Sequence, residues 1–213
     1  MHQSSLSKEL LENALPDLVN NISLEGLVDS VKITRDEFGI PHIKAKSVRD
    51  VFFGQGFATA QDRLWHMDYD RLRAYGRWSE CVGKSTVEQD KMMRRFQIES
   101  SVKDDYRVIN SDASSMLDSY AEGVNAFINS TNSLPIEYEI LDRAPDEWMP
   151  WDCLAVFKVR HILMGTFESK FHMARLINIL GPEKVSSFVR GYQNGHLLIV
   201  PPGTEYDLSL IHI

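Results

Sequence analysis

The sequence is poor in cysteine and lacks any cluster of positive charge. Only two cysteines, Cys81 and Cys153, occur in 213 residues; they form no CxxC pattern and have no histidine at metal-ligand spacing. Free buried thiols are therefore the preferred interpretation over a disulfide. The formal net charge is −7, and no run rich in lysine or arginine is present. A nucleic-acid partner is not expected.

No apolar run is long enough to span a membrane. A span needs about 18 or more apolar residues, and the longest runs here are interrupted by Arg, His or Glu. We therefore expect no membrane partner. The first residues, MHQSSLSKELLENALPDL, contain neither an apolar core nor a small-residue cleavage site, so they do not form a secretory signal. The compartment stays open: cytoplasmic if Met1 is the native start, periplasmic if a signal preceded it.

Familiar catalytic and metal-binding motifs are also missing. The chain has no G-x-S-x-G elbow, no H-E-x-x-H motif, no phosphate-binding loop and no Cys and His pair within a family signature. Its seven histidines are scattered, and a packed or surface histidine is the preferred interpretation of His66. Asp62 and Arg63 are suited to catalysis, but an ion pair that holds their helix against its neighbours is the preferred explanation. We predict no catalytic residue in this chain.

Residues 31–83 are the most informative part of the sequence. Alternating apolar residues around Gly39 predict a hairpin of two short strands. Pro41 should lie at a strand end or edge, because it has no backbone donor. Ser47 followed by Asp50 predicts the start of a long helix. Its apolar face is formed by Phe53, Phe57, Ala60, Leu64 and Met67.

Three glycines mark special positions on this long helix. Gly54 and Gly56 each cost about 1 kcal/mol relative to alanine inside a helix. We therefore expect a neighbouring backbone to come close to them. Gly76 is placed to end the helix.

Two further helices are predicted in the second half of the sequence. Apolar residues recurring from Met116 to Ile128 predict an amphipathic helix. Asp152 is expected to cap a third helix that ends at Gly181. The tail, residues 196–213, opens with a strand-like run and ends on apolar residues that nothing would cover. The chain is therefore expected to be part of a larger body.

The order and spacing of these motifs resemble the penicillin acylase family of N-terminal-nucleophile hydrolases. The matching segments are RDEFGIPHI, GFATAQDRLWHMD, RAYGR, YAEGVNAFI and LPIEYEILDRAPDEWMPWDCLAV. The resemblance covers the family's alpha chain nearly end to end, and its pattern is nearest to the cephalosporin acylases. It implies an α+β fold in which this chain is mostly α-helical with a short N-terminal β-hairpin. A beta chain would complete the four-layer αββα arrangement, so residues 1–213 would be a single unit that needs this partner.

The resemblance implies the alpha subunit of a heterodimeric amidohydrolase that acts on linear amides. The substrate would be the side-chain amide of a penicillin-like or cephalosporin-like compound, or a related N-acyl small molecule. The precursor would cleave itself, and the beta subunit would carry the nucleophile at its N-terminal Ser, with the alpha-amino group as the base. Two alternatives stay open: an N-acyl-homoserine-lactone or lipopeptide acylase, and a non-catalytic helical partner on the same scaffold.

The resemblance also locates an acyl pocket on the segment HILMGTFESKFHM. By motif position, Met164, Phe167 and Phe171 are expected to bind the substrate, and Lys170 stands where family members carry a basic residue. From the residues alone, plain core packing is the alternative for the three apolar side chains, and a solvated surface lysine for Lys170. No metal or other cofactor is expected: calcium occurs in the family, but Glu168 is the only nearby carboxylate, and calcium takes about six to eight oxygens.

Overall fold

Helices make up most of the residues that the structure describes, which are 7–165 and 167–188. The structure is a computed structural model. Its residues divide into two compact parts, one ending at Met164 and the other beginning at Gly165. Within the described residues, no helix is both long enough and apolar enough to cross a lipid bilayer. The strand-like run and apolar end predicted for residues 196–213 lie outside the described residues.

The first part combines one short sheet with a series of helices. Its elements are α1 (Lys8–Asn13), β1 (Lys32–Arg35), β2 (Pro41–Lys44), α2 (Val48–Ala74), α3 (Ser79–Val82), α4 (Val87–Arg95), α5 (Ile98–Val108), α6 (Ser111–Ser130), α7 (Ile136–Ile140) and α8 (Asp152–Met164), with a 3-10 turn at Lys84–Thr86. The second part contains α9 (Phe167–Leu180) and α10 (Pro182–Ser186).

The predicted hairpin is confirmed. β1 and β2 pair antiparallel, with Ile33 opposite Ile43 and Arg35 opposite Pro41. Pro41 is the first residue of β2, a strand end, as its missing N–H requires. Exposure alternates along both strands, so one face packs inward while the other remains in solvent.

The predicted start of α2 is also confirmed, with a difference in the role of Asp50. The Ser47 hydroxyl accepts the Asp50 N–H at 3.0 Å, as a helix cap does. The buried Asp50 carboxylate reaches backward and accepts the N–H groups of Val28 (2.9 Å) and Asp29 (3.2 Å). These bonds, that to Val28 first, lower the pKa of Asp50. Asp50 therefore ties the incoming chain to the helix.

Helices α2 and α6 pack so closely that glycine is required on both. A side chain at Gly56 would collide with the carbonyl of Tyr120, and one at Gly123 would collide with the carbonyl of Phe53. The predicted close backbone is thus confirmed at Gly56. At Gly54 the close neighbours are instead side chains of the hairpin region. The apolar face predicted for α2 is buried in this contact, in a core formed by Phe57, Ala60, Leu64, Met67, Ala121, Val124, Phe127, Tyr138 and Trp148.

Helix α2 contains one break and ends where expected. Arg63 has φ −146° and ψ 22°, which are not helical values, so the 27-residue helix is kinked there. The helix ends at Ala74, and Gly76 follows with φ +61°, a conformation that favours glycine. The predicted end of the helix is therefore confirmed.

The third predicted helix differs from expectation in two ways. It is divided, since α8 ends at Met164 and α9 begins at Phe167. Asp152 is the first residue of α8 rather than its cap, and its carboxylate accepts the N–H of Met149 at 2.9 Å. The capping prediction was wrong because Asp152 also serves a buried cation. The predicted end is confirmed: α9 stops at Leu180, before Gly181.

Candidate functional site

The residues predicted to line an acyl pocket lie at the end of α8 and the start of α9. Met164 is the last residue of the first part, and its side chain is 78% exposed. Phe171, in the second part, is also 78% exposed, and Lys170 is exposed beside it. Neither Met164 nor Phe171 is therefore a core residue. The side chain of Phe167 lies outside the described residues.

Positions 167, 170 and 171 share one face of α9, because the helix is continuous from its first residue. None of the side chains described between Glu168 and Leu180 is buried. Ile179 is 67% exposed, so the apolar surface extends along the helix. The second part thus offers an uncovered helix that carries aromatic, aliphatic and basic side chains.

A buried ion network holds the start of α8 against α2. Arg71 of α2 donates from Nε and Nη2 to Oδ1 of Asp68, at 3.1 and 2.7 Å, and from Nη1 to Oδ2 of Asp152 at 2.9 Å. Its remaining N–H groups reach the carbonyl oxygens of Glu147 (2.8 Å) and Asp146 (3.1 Å). All five guanidinium N–H groups are thereby used. The network joins α2, the segment before α8 and α8 itself.

Two tyrosines complete the network. Tyr75 donates to Oδ1 of Asp152 at 2.5 Å, and Tyr138 donates to Oδ2 of Asp68 at 3.2 Å. Burial, followed by the neighbouring carboxylates, raises the pKa of both phenols, so they remain donors. Burial alone would lower the pKa of Arg71, but the two aspartates outweigh it and the net shift is upward. Arg71, Asp68 and Asp152 are buried and Tyr75 is half-buried, and all four are paired with one another. The network therefore positions α8.

Asn125 of α6 fixes the segment that leads into α8. Its side-chain amide donates to the carbonyl of Trp148 and accepts the N–H of Trp148, both at 2.8 Å. The Trp148 ring in turn covers the Arg71 guanidinium, whose carbon lies 4.8 Å from the ring centre. A segment without regular structure is thus held from two sides.

The outer face of α8 is exposed and carries a second ion pair. Phe157 is 71% exposed, and its ring stacks on His161 with centroids 6.4 Å apart. Arg160 donates from Nε to Oδ2 of the buried Asp70 at 2.6 Å and lies against His66. His66 is half-exposed and lies 3.7 Å from Asp70, which agrees with the interpretation of a packed or surface histidine.

A groove of about 860 Å³ lies between the start of α2, helix α6 and the segment 147–150. Carboxylates line it, but Arg49 and Glu122 neutralise each other at 2.5 Å. In the part of the chain that the structure describes, no group of three or more His, Cys, Asp and Glu side chains is arranged to hold a metal ion. The groove has mixed walls, with apolar side chains such as Met116, Trp148 and Met149 beside the carboxylates.

Both cysteines are free, as predicted, but both are half-buried rather than fully buried. Burial raises the pKa of the Cys153 thiol to about 11, so at neutral pH it is protonated and a poor nucleophile. Cys81 accepts a hydrogen bond from Nη1 of Arg143 at 2.8 Å.

The sequence analysis missed the buried network, although one signal was present. Arg71 falls four residues after Met67 and three before Ala74, which continues the apolar stripe of α2. A charged residue on the buried face of a helix requires an internal partner. Asp68 and Asp152 are those partners.

Known proteins share this sequence pattern. Residues 30–200 match the family described as penicillin amidase. The penicillin acylase 2 proenzyme of Pseudomonas sp. strain SE83 is 38% identical over 202 residues, covering 94% of this chain and 26% of that protein. The acyl-homoserine lactone acylase QuiP of Pseudomonas syringae pv. tomato strain DC3000 is 27% identical over 176 residues, covering 82% of this chain and 21% of that protein. The chain thus spans about a quarter or less of the length of these relatives.

A solved structure shares the fold. A chain of the thermostable penicillin G acylase from Alcaligenes faecalis superposes with a TM-score of 0.67 at 25% identity, covering 84% of this chain and 100% of the solved chain. The predicted fold class is thereby confirmed. Helices dominate the described residues, and the short hairpin lies near the N-terminus.

Proposed function

The chain belongs to the penicillin amidase family, and we propose that it is the alpha subunit of a heterodimeric amidohydrolase. The enzyme hydrolyses a linear amide of an N-acyl small molecule of the penicillin or cephalosporin type. Two observations support the subunit assignment. The Pseudomonas relative is named a proenzyme and is about four times longer than the match, whereas the solved penicillin G acylase chain is covered in full. A chain of similar extent is therefore a separate polypeptide in a solved relative.

The proposed partner is a beta subunit from the same precursor, and its N-terminal Ser is the proposed nucleophile. An alpha-amino group has an unperturbed pKa of about 7.7 to 8.0, so at neutral pH it accepts the hydroxyl proton with little adjustment. The same proton then passes to the leaving amine. The protonated thiol of Cys153 and the saturated Arg71 network support placing the nucleophile outside this chain. We also propose that residues 1–213 need this partner to fold.

We further propose that Met164, Phe167, Lys170 and Phe171 form part of the acyl-side wall. The exposure of Phe171 carries this proposal, since a phenylalanine side chain that is 78% exposed is available to contact an acyl group. Lys170 is exposed beside it and supplies a positive charge. No metal or other cofactor is proposed, because Glu168 is the only carboxylate of α9.

The similarity to the acyl-homoserine lactone acylase favours a second candidate. In that case the same amide chemistry acts on an N-acyl-homoserine lactone or a lipopeptide. The ratio of kcat/KM for an acyl-homoserine lactone to that for a β-lactam amide separates the two candidates.

A labelling experiment on the full precursor tests the function. We expect two chains after maturation, a new N-terminal Ser on the larger one, and covalent labelling of that Ser by a sulfonyl fluoride probe. Ser169→Ala in α9 is the control and should leave the labelling intact. Residues 1–213 made alone should aggregate or unfold without cooperativity. A label on a residue of this chain would overturn the assignment, and absence of both label and turnover would favour a non-catalytic helical partner.

A further inference from the structure

The turn between β1 and β2 presents two apolar side chains on a rigid support. Oδ1 of Asp36 accepts the backbone N–H groups of Phe38 (3.0 Å) and Ile40 (2.9 Å), while Oδ2 lies 3.0 Å from Nε2 of His42. The turn is thus internally bonded. Yet Phe38 is 80% exposed and Ile40 is 54% exposed. The backbone of the turn is thus fixed while its two large apolar side chains are exposed, and exposed apolar surface of this kind marks interaction sites.

Arg35 fastens this turn to α2. Its Nη1 donates to the carbonyl oxygen of Gly39 at 3.0 Å and to Oδ2 of Asp62 at 2.9 Å. Its Nη2 lies 2.7 Å from Oδ1 of Asp62 and donates to Gln61 at 2.9 Å. The expected ion pair at Asp62 is therefore present, with the hairpin as its neighbour. The bidentate contact also neutralises the charge of Asp62.

The ion pair that was also expected at Arg63 is not formed within the described residues, so the prediction was wrong for this residue. It is exposed at the kink of α2, and among residues 7–165 and 167–188 it has neither a hydrogen-bond nor an ion-pair partner. Together with Phe38, Ile40, Pro41 and the Arg35-paired Asp62 it lines a groove of about 310 Å³. We call this groove, defined by Phe38, Ile40, Pro41 and Arg63, the turn groove. It combines a fixed apolar wall with a cation whose charge is not balanced.

We propose that the turn groove docks an apolar segment of the remaining precursor that carries a carboxylate for Arg63. The inference rests on the proposed function, since the occupant is a segment of the partner subunit. Charge complementarity favours a carboxylate on the docking segment, because the neighbouring Asp62 is paired with Arg35 and does not neutralise Arg63. The apolar wall favours aliphatic or aromatic neighbours of that carboxylate. The relative extends well beyond the matched region, and a corresponding part of the precursor would contain the docking segment.

The rigidity of the turn also favours a protein occupant. Because the turn is fixed by Asp36 and Arg35 before binding, docking loses little conformational entropy on this side. A volume of about 310 Å³ is at the lower limit for small-molecule sites. The Phe38 side chain also points into solvent and does not enclose a ligand. The shape suits an extended or helical segment laid across the groove.

Photo-cross-linking in the full protein tests the proposal. A benzophenone side chain replaces that of Phe38, and the cross-linked peptide is identified by mass spectrometry. We expect a peptide from the same precursor outside residues 1–213, with apolar residues and an Asp or Glu. The same probe at Val108, which is 81% exposed at the end of α5, is the control and should not give this peptide.

Association measurements provide the second readout. Phe38→Ala and Arg63→Gln should each weaken the association of the two subunits in urea by about tenfold. Val108→Ala and Arg95→Gln are the controls. Each replaces an exposed residue outside the groove and should leave the association unchanged. A cross-link to a second copy of residues 1–213, a cross-link to no peptide, or unchanged association would each overturn the proposal. If the precursor stays uncleaved, the subunit assignment fails, but the cross-link still reports the occupant within one chain.

Discussion

Helices α6 and α9 are both rich in apolar residues, but only α6 is covered. Five residues of α6 are buried, including Val124 and Phe127, and the Phe127 ring meets Phe57 edge to face at 5.6 Å. In α9 no described side chain is buried, and Phe171 stands in solvent. A similar content of apolar residues thus has two different outcomes within one chain. Apolar content predicts that a surface will be covered, but it does not say whether the cover is in the same polypeptide.

The difference lies in what surrounds the apolar residues. Helix α6 carries Gly123, which lets the backbone of α2 approach, and Asn125, which ties down the segment before α8. Helix α9 has no glycine between its first and last residues. The glycines of α2 and α6 let the two backbones meet, because a side chain at Gly56 or Gly123 would collide with a carbonyl of the other helix.

The largest expected effect comes from breaking the network that anchors the covered region. Arg71→Met leaves the buried Asp152 without its cation and leaves Asp68 with only the more distant Arg143, at 3.8 Å, and we expect a loss of about 3 to 5 kcal/mol of stability. Thermal unfolding of the full protein measures it. Arg107→Met, which removes an exposed pair with Asp104, is the control and should cost less than about 0.5 kcal/mol. Equal losses in the two variants would show that the network does not stabilise the fold.

A smaller loss is expected from Gly123→Ala. The new methyl group collides with the carbonyl of Phe53, so α2 and α6 must separate, at a cost of about 1 to 3 kcal/mol. Gly54→Ala is a matched control on α2, because its methyl group meets only side chains, those of Ile43 and Val31, at 2.9 Å. Both changes gain the same helix propensity, so the difference between them isolates the backbone contact. A smaller loss for Gly123→Ala than for Gly54→Ala would contradict the close-packing argument.

The smallest effect on stability is expected at α9. Phe171→Ala should change the unfolding free energy by less than about 0.5 kcal/mol if Phe171 stays exposed. If Phe171 lines the acyl pocket, the ratio of kcat/KM between a large and a small acyl group should change by about 10- to 200-fold. Phe188→Ala, also an exposed phenylalanine, is the control and should leave the ratio unchanged.

Two other results of the Phe171→Ala measurement would each say what contacts this face of α9. A large drop in melting temperature with an unchanged acyl preference would show that the partner subunit packs on Phe171. No change in either quantity would place this face of α9 away from substrate and would also remove the case for Lys170.

The elements that depend on short-range rules were predicted well. The hairpin, the Ser47 cap and the end of α2 at Gly76 each follow from a few neighbouring residues. The buried face of α2 follows from its periodicity. The role of Asp152 was missed, because its partner Arg71 lies 81 residues away and no local pattern encodes that contact. The kink at Arg63 had no sequence signal either, since neither proline nor glycine occupies that position.

The candidate site was harder to predict than the fold for a different physical reason. An acyl pocket is defined by the space between several walls, and α9 supplies at most one of them. Periodicity placed positions 167, 170 and 171 on one face, and the helix bears this out. The ligand that would meet this face depends on atoms outside the described residues, so the assignment of Met164, Phe167, Lys170 and Phe171 stays a prediction.

Because α8 is anchored at its start, a small rotation there moves the far end of the helix by a larger distance. With 13 residues at about 1.5 Å of rise each, α8 is about 20 Å long. A rotation of only about 5° at Asp152 would displace its far end, at Met164, by about 1.7 Å, and a misplacement of about 1 Å is enough to slow an enzyme about 100-fold. The hydrogen bonds of Arg71 fix the start of α8. The buried Ala155 and Val159 and the Arg160–Asp70 ion pair hold the helix further along, so together these contacts limit the angular error that reaches Met164.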